Sequence, residues 1–321
     1  APALLAKFYL TAAVYTGPPQ WAKCYAVCQD IINAHQGKGF QGSGLAEHYH
    51  NLFSRSAKDC TLGGGGYVEE IIWPIVVDEP NLKSYAGGSL LTAGYLGSAT
   101  TDGATCDLTR WNMNTGWRCM TARQQFSEVF EWNSDYTYSP DIRTKLWCTA
   151  ADGFKITNDV LSYDYYGSNG FAPIKYSNWN YLQNGEIDYD NVPVAGGDDV
   201  HIPYAMIRLA EIYLTAAEAT LHGAGTKEEG LKYVNYIRER AGMNPFTNLT
   251  ITQLQDERQR ELYSECTRRT DLIRYGKWCS GYTWNWKGGV KNGTDLPATS
   301  VLYPLPSAIV EQTGYTQNPG Y

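Results

Sequence analysis

The sequence has little charge and no long apolar run. Charged residues make up 18% of the 321 residues, which is below the roughly 25% of an average soluble domain. No apolar run reaches the length of about 18 residues that a membrane-spanning helix needs. The formal net charge is -7, and this argues against a nucleic-acid partner, because phosphate recognition requires a basic surface.

Patterns for catalysis and for metal or phosphate binding are also missing. The run Gly63–Gly66 is not followed by the Lys-Ser/Thr pair of a phosphate-binding loop, so it reads as a flexible turn. His48 and His50 diverge on a helix and lack an obvious third ligand. Asp188 and Asp190 do not have the spacing of a calcium-binding loop. The sequence therefore predicts no metal site, no cofactor and no catalytic set.

The eight cysteines contain no CxxC pair and match no zinc pattern. Cys24 and Cys28 share one face of a predicted helix, where disulfide geometry is rarely met, so we expect both to be buried free thiols. Cys106 and Cys119 lie in a loop-rich stretch and are candidates for a disulfide in an oxidising compartment.

Aromatic residues are abundant, with 25 Tyr and 10 Trp against 8 Phe. Tyrosine and tryptophan combine an apolar ring face with a polar group, so they suit wet binding surfaces. Sugar rings carry C–H faces that stack on such flat rings. Packing in the core remains the alternative interpretation for any single ring.

A short internal repeat indicates the scaffold. Residues 5–13 and 209–217 are identical at seven of nine positions, and each copy is followed by a break and a second amphipathic helix. These second helices are predicted at about 20–33 and 227–240. Two such hairpins predict helical repeats close to the ~34-residue tetratricopeptide type, which bury their apolar faces by stacking on neighbouring repeats.

The chain between the hairpins has a different character. Residues 60–200 are dense in Gly, Ser, Thr, Asn and aromatics, with a strand predicted at 67–77 and a helix at 121–130. Ordered loops of this length usually carry function, so we expect the ligand here. The prediction is one mainly α domain over 1–321, with a helical-repeat portion at 1–59, a loop-rich ligand-binding insertion at 60–200 and a second helical-repeat portion at 201–321.

Two further helices are predicted at 251–264 and 265–275, both rich in arginine and acidic residues. Glu265 and Arg269 have the i,i+4 spacing of an ion pair on one helix. For the charged residues as a group, a structural salt-bridge network that fixes one helix against another is the favoured interpretation over catalysis.

Specific short motifs run through the C-terminal third of the chain. They lie at 198–214, 216–219, 234–235, 237–242, 257–258, 260–262, 265–276, 303–306 and 317–321. With these motifs, the C-terminal third resembles the SusD/RagB family of outer-membrane nutrient-binding lipoproteins. Shorter stretches in the middle of the chain fit the order of that family, at 69–73, 116–118, 141–143 and 175–176, so the resemblance covers nearly the whole chain.

This resemblance implies a tetratricopeptide-like scaffold with a large irregular ligand-binding region. It implies a binding protein rather than an enzyme, on the outer face of a Bacteroidetes-type outer membrane, where it captures oligosaccharides for a TonB-dependent, SusC-like transporter. We expect the N-terminal portion of the family, with its signal peptide, lipidated cysteine and first repeats, to lie outside this chain. A peptide-binding member of the same family and a protein-binding helical-repeat adaptor are the alternatives.

The loop region supplies the candidate ligand contacts. Aromatic rings there are predicted to stack on sugar rings, and their polar neighbours to bond sugar hydroxyls, since an arginine fork can serve two adjacent hydroxyls. A glycoside hydrolase, the remaining alternative, would release product with a pH-dependent rate. The predicted ligand-binding residues are Tyr85, Tyr95, Trp111, Asn112, Trp117 and Arg118.

Overall fold

The computed structural model describes residues 1–77, 87–97, 103–157, 159, 167–195 and 200–321. Its contacts divide the chain into two compact units, Ala1–Cys266 and Thr267–Tyr321. The sequence predicts three portions, 1–59, 60–200 and 201–321. The boundary after Cys266 coincides with none of their borders, so these portions stay a prediction.

Helices dominate the described residues, and one small antiparallel sheet accompanies them. The helices are α1 (Pro2–Tyr15), α2 (Trp21–His35), α3 (Gly87–Ala93), α4 (Gln124–Ser127), α5 (Leu209–Leu221), α6 (Lys227–Arg240), α7 (Ile251–Leu262), α8 (Arg268–Arg274) and α9 (Ser307–Thr313); the strands are β1 (Ile71–Ile75) and β2 (Tyr204–Arg208). Short 3-10 helices lie at Phe40–Gly42, Tyr49–Phe53, Arg55–Cys60, Leu108–Trp111, Ile142–Thr144, Ala150–Asp152, Lys287–Gly289 and Ala298–Val301.

The two predicted hairpins are confirmed as α1–α2 and α5–α6. Equivalent positions of the internal repeat are buried in both copies, Ala6 with Ala210 and Leu10 with Leu214, because these residues face one shared core. The predicted free thiols Cys24 and Cys28 lie in that core. Stacking of the hairpins thus builds the predicted repeat scaffold.

Local sequence defines where the later helices begin. Thr226 and Glu229 form a capping box at α6, in which each side chain accepts from the other residue's backbone N–H. Thr250 and Gln253 do the same at α7. These boxes satisfy backbone donors that a helix start leaves unpaired, so α6 and α7 begin where they were predicted; α6 also ends at the predicted Arg240.

Several predicted boundaries are wrong. The strand predicted at 67–77 is confined to Ile71–Ile75, where it pairs with β2, a strand that was not predicted. The helix predicted at 121–130 is the single turn α4, because the Ser127 carbonyl accepts the indole N–H of Trp132 at 2.8 Å. That carbonyl also accepts the backbone N–H of Phe130 at 3.2 Å, so its bonds are those of a tight turn and not the i to i+4 bond of a longer helix.

The closing helices are also shorter than predicted. Ser264 and Cys266 both adopt φ of 58°, a left-handed conformation that L-residues rarely hold inside a helix. Glu265 therefore precedes α8, and its carboxylate accepts from Arg208 at 2.7 Å and from Lys175 at 2.5 Å. The predicted pair of Glu265 with Arg269 on one helix is wrong.

The second unit, Thr267–Tyr321, is built around arginine–aromatic contacts. The guanidinium of Arg269 lies 4.0 Å from the ring centroid of Tyr303 and 5.4 Å from that of Trp278. The indole N–H of Trp278 donates to the Ser300 carbonyl at 3.0 Å. Cation–π contacts of this kind order a segment that contains little regular structure.

Within the described part of the chain, every helix is too short or too polar to cross a bilayer. The core of the first unit has two parts. One lies between the helices of the scaffold, and the other, rich in aromatics, lies under the loop region.

Candidate functional site

The loop region contains a cleft of about 430 Å³, a volume within the range of ligand pockets. Arg110 lines it together with residues between Trp132 and Asp152. The cleft lies on a part of the chain with short 3-10 turns at Leu108–Trp111, Ile142–Thr144 and Ala150–Asp152. These turns present side chains at closely spaced positions on a surface that the core beneath holds rigid.

Trp147 forms the floor of the cleft, and further aromatic rings pack against it from below. The ring of the buried Trp147 stacks on Phe126 at 5.6 Å between centroids and meets the edge of Phe130 at 4.6 Å. Its indole N–H donates to the Tyr263 hydroxyl at 3.1 Å, and that hydroxyl donates to the Arg143 carbonyl at 3.0 Å. Because these polar atoms are hydrogen-bonded within the protein, the base of the cleft is apolar.

Two aromatic side chains stand at the wall. Trp132 is half-buried, with its ring 5.8 Å from Trp147, and its N–H is fixed by the Ser127 carbonyl. Tyr138 is 63% exposed, and its backbone is held by two bonds of 2.9 Å to Asn133. The cleft therefore carries one ring embedded in the floor cluster and one ring open to solvent.

Arg110 and Asp152 supply the polar groups of the cleft. The guanidinium of Arg110 donates to the Asp152 carboxylate at 2.7 Å and to the Trp147 carbonyl at 3.1 Å. Asp152 is oriented by the backbone N–H of Thr149 at 2.9 Å. A guanidinium has five N–H donors, so an ordered donor and an ordered acceptor lie side by side, as recognition of a polyhydroxylated ligand requires.

A disulfide joins the two halves of this site. Cys106 pairs with Cys148, with their Cα atoms 5.9 Å apart, and Cys148 lies between the cleft residues Trp147 and Thr149. Cys119, the predicted partner of Cys106, is free and exposed. The predicted pair is wrong because a backbone bond from Thr105 to Asp152 at 3.2 Å draws Cys106 to the cleft, whereas Cys119 is bonded to Gly94.

Removing this disulfide with Cys106→Ser and Cys148→Ser together is expected to lower the free energy of unfolding by about 2–4 kcal/mol. The bridge spans 42 residues, and its loss restores that loop's freedom to the unfolded chain. Urea unfolding measures the change. Cys119→Ser, at an exposed free thiol, is the control and should stay within about 0.5 kcal/mol. Equal stability of the oxidised and double-serine proteins would refute the role of the bridge.

Buried charges anchor the cleft to the scaffold. Arg143, in the cleft segment, donates two bonds to the Asp141 carboxylate at 2.8 and 2.7 Å. It also reaches two glutamates of α7, Glu257 at 2.7 Å and Glu261 at 3.0 Å. Each of these side chains is fully buried. One arginine thus ties the wall of the cleft to a helix of the repeat scaffold.

The same cluster continues into the scaffold. Glu261 accepts from Arg208 at 2.6 Å and from Arg240, and Glu70 accepts from Arg208 at 3.0 Å and from Arg240 at 2.6 Å. Glu265 takes two more bonds from Arg208, at 2.7 and 2.8 Å. The predicted structural salt-bridge network is confirmed, and it joins α6, α7, β2 and the residue before β1.

The arginines change the acidity of the buried glutamates. Burial opposes the ionisation of Glu257, yet the arginines around it, Arg143 first, lower its pKa to about 2. Glu261 likewise has a pKa of about 2, because Arg240 and Arg208 outweigh its burial. His50 beneath the cleft has its pKa lowered to about 4 by burial and by the nearby Lys145 charge. None of these groups faces the cleft opening, so their charges serve the fold.

Trp111 and Asn112 lie in and after the turn that carries Arg110. Trp111 is fully buried, with the Arg110 guanidinium 4.8 Å from its ring centroid. Asn112 is also buried, adopts φ of 51°, and donates to the Pro193 carbonyl at 3.0 Å. The structure therefore places both predicted residues beneath the surface, where they shape the turn.

Tyr95, Trp117 and Arg118 form a second group. Arg118 is buried, donates to the Gly170 carbonyl at 3.2 Å and lies 4.4 Å from the ring centroid of Phe154. Tyr95 and Trp117 are half-buried against the aromatic core. Tyr85 lies outside the described residues. The ligand contacts predicted for these residues stay a prediction.

Sequence reasoning missed Arg110, Trp132 and Tyr138. Trp132 and Tyr138 lie in a run of turn-forming residues with interspersed aromatics, the same composition that drew attention to Trp111. The composition marks the region, whereas the exposure of each ring depends on contacts with distant segments. Among the described residues, no group of three or more histidine, cysteine, aspartate or glutamate side chains is arranged to hold a metal ion.

Comparison with known proteins adds to this geometry. The sequence model that describes the SusD family matches residues 154–321. Over 356 aligned positions the chain is 29% identical to the starch-binding protein SusD of Bacteroides thetaiotaomicron, and the match covers 99% of this chain and 59% of that protein. The chain thus spans well under two thirds of the length of this relative.

Solved structures share the fold. Surface glycan-binding protein A from Bacteroides fluxus superposes with a TM-score of 0.65 at 19% identity, covering 100% of this chain and 62% of that one. Surface glycan-binding protein A from Bacteroides thetaiotaomicron, in complex with laminarihexaose, gives a TM-score of 0.57 at 19% identity, covering 98% and 63%. At this identity the likeness concerns the fold.

Proposed function

The chain belongs to the SusD family, and from that premise we propose that it binds an oligosaccharide in the cleft and performs no catalysis. The observation that carries the proposal is the cleft itself, in which the exposed ring of Tyr138 and the half-buried ring of Trp132 flank the paired Arg110 and Asp152. Ring faces and ordered polar groups are the two kinds of contact that a sugar needs.

The chemistry of each contact is distinct. A sugar's C–H face lies on the Tyr138 ring, while its hydroxyls accept from Arg110 and donate to Asp152. The Trp147 carbonyl already holds the Arg110 guanidinium in place, so this side chain loses little conformational entropy when the ligand binds. Trp111 and Asn112 act from beneath by holding the turn, and Tyr95, Trp117 and Arg118 are a second candidate contact group.

The cellular role follows the same premise. The relative from Bacteroides thetaiotaomicron is a starch-binding protein, and the similar structures include surface glycan-binding proteins. This chain's role is then to capture an oligosaccharide at the outer face of the outer membrane and pass it to a TonB-dependent, SusC-like transporter. A peptide ligand or a purely protein-facing role are the alternatives that the binding experiment addresses.

Tyr138→Ala is expected to weaken oligosaccharide binding about fivefold, because a ring contact contributes on the order of 1 kcal/mol. Isothermal titration calorimetry measures this with maltohexaose, laminarihexaose, xylohexaose and mannohexaose as separate ligands. Arg110→Lys, which loses the planar fork, is expected to weaken the same ligand. Product analysis after long incubation should show intact oligosaccharide.

Tyr315→Ala is the matched control, since Tyr315 and Tyr138 are both 63% exposed and Tyr315 lies in the other unit. It should bind as the unmodified protein does. Equal affinity of Tyr138→Ala and Tyr315→Ala would remove the cleft from the proposal. Absence of heat with all four hexasaccharides would favour a peptide or protein partner instead.

A further inference from the structure

Outside the cleft, a β-hairpin-like loop presents two aromatic side chains as a pair. Tyr181 bridges Ile187 in antiparallel fashion, and the Asp188 N–H donates to the Asn180 carbonyl at 2.9 Å. Two residues further along each strand from the 181/187 bridge, this register places Trp179 opposite Tyr189, on the same side of the hairpin as Tyr181 and Ile187. Their ring centroids are 5.7 Å apart with planes at 65°.

The Trp179 ring is fixed in place. Its indole N–H donates to the Thr109 carbonyl at 3.2 Å, and its backbone carbonyl accepts from the Arg55 N–H at 3.2 Å. The polar edge of the indole is therefore satisfied by the protein, while the residue is only partly buried. A ring held in this way loses little freedom when a ligand stacks on it.

Tyr189 is 71% exposed, yet the loop that carries it is ordered by its own hydrogen bonds. Asp188 accepts from the backbone N–H groups of Asp190 and Asn191 at 3.1 and 3.2 Å. The side-chain amide of Asn180 donates to the Asn191 carbonyl at 2.8 Å. The fold therefore holds the Tyr189 ring in place without burying it, and such an exposed apolar ring is available for contact with a ligand.

A hydrogen bond connects the aromatic pair to a residue next to the cleft. Trp179 bonds the carbonyl of Thr109, and the next residue, Arg110, reaches into the cleft. The two Cα atoms of neighbouring residues are only about 3.8 Å apart. One short turn, Leu108–Trp111, thus connects the aromatic pair to the polar centre of the cleft.

We infer that Trp179 and Tyr189 form a second stacking subsite, and that the ligand is a neutral glycan chain long enough to run from the cleft across this turn. The inference rests on the proposed function of the cleft. The carboxylates of Asp188 and Asp190 flank Tyr189, so this end of the surface accepts hydroxyl donors and repels acidic sugars. A chain that engages both places binds more tightly than a fragment that fills one.

The test compares chain lengths on one set of variants. Isothermal titration calorimetry is run with the trisaccharide and with the soluble polysaccharide of each series: maltotriose and starch, laminaritriose and laminarin, xylotriose and xylan, mannotriose and mannan. Tyr189→Ala is expected to weaken polysaccharide binding about fivefold and to leave the trisaccharide in the cleft unchanged. Tyr189→Phe keeps the ring face and should bind like the unmodified protein.

The outcomes separate the two claims. If Tyr138→Ala weakens both lengths while Tyr189→Ala changes neither, the cleft stands and the second subsite is overturned. If Tyr189→Ala weakens both lengths equally, the pair is no separate subsite and the inference also fails. If no neutral glycan binds, or if polygalacturonate binds more tightly, the ligand class is wrong. A fall in oligomer mass on light scattering with Tyr189→Ala would instead identify the pair as a contact between copies of the chain.

Discussion

Glu261→Gln is expected to lower the free energy of unfolding at pH 7 by about 3–5 kcal/mol, since breaking a buried ion network leaves charges uncompensated. The Glu261 carboxylate is fully buried and accepts from Arg208 at 2.6 Å, from Arg143 at 3.0 Å and from Arg240. Glutamine has the same shape but no charge, and its amide N–H group would face an arginine. Urea unfolding followed by tryptophan fluorescence measures the loss.

The control for this prediction is Glu239→Gln on α6. Glu239 is partly exposed and accepts from Gln41 at 2.9 Å, so the same substitution there should change stability by less than about 1 kcal/mol. Similar losses in the two variants would mean that the buried network contributes no more than a surface contact. Because Arg143 links Glu261 to the cleft wall, Glu261→Gln should also weaken oligosaccharide binding.

Acid is expected to remove about 3 kcal/mol of stability for each of Glu257 and Glu261. Both have a pKa near 2 in the folded protein against an ordinary value of 4.5. The unfolded chain therefore binds more protons between these values, so the contribution is complete above pH 4.5 and is lost as the pH falls to 2. Urea unfolding at pH 4.5, 3.5 and 2.5 follows this loss.

The Glu261→Gln variant tests the assignment of that window. Having lost one of the two groups, it should lose about 3 kcal/mol less than the unmodified protein over the same pH range. His50 acts in a separate window: burial lowers its pKa from 6.5 to about 4, so its contribution is lost between pH 6.5 and 4. Parallel acid profiles of the two proteins would contradict the role of Glu261.

The helical hairpins could be predicted because their information is local. Residues 5–13 and 209–217 repeat one pattern, and the structure buries Ala6 with Ala210 and Leu10 with Leu214, whereas Phe8 is 62% exposed and its counterpart Ile212 is buried. The capping box at Thr226 places the start of α6 within a few residues of sequence. The breaks at Ser264 and Cys266 could not be predicted, because their left-handed backbone accompanies contacts of Glu265 with Arg208 and Lys175.

The sequence predicts the extent of the loop region, but it does not predict which of its aromatic rings are exposed. Composition and context predict that Trp111 contacts the ligand, whereas the structure buries its ring beside the Arg110 guanidinium. Tyr138, from a stretch of similar composition, is left open by its turn at Asn133. The exposure of a ring depends on how distant segments pack around it. Composition alone therefore does not distinguish a buried ring such as Trp111 from an exposed ring such as Tyr138.

By itself, the sequence determined the repeat scaffold and the family resemblance, because helix periodicity, capping and motifs are written in neighbouring residues; that the ligand binds in the loop region stays a prediction. Only the tertiary structure decided that Cys106 pairs with Cys148, that Arg143 meets Glu261 across 118 positions, and that Arg110 meets Asp152 in the cleft. The physical reason is that each of these features needs two segments far apart in the chain, and their choice of partner depends on which surfaces the folded core brings together.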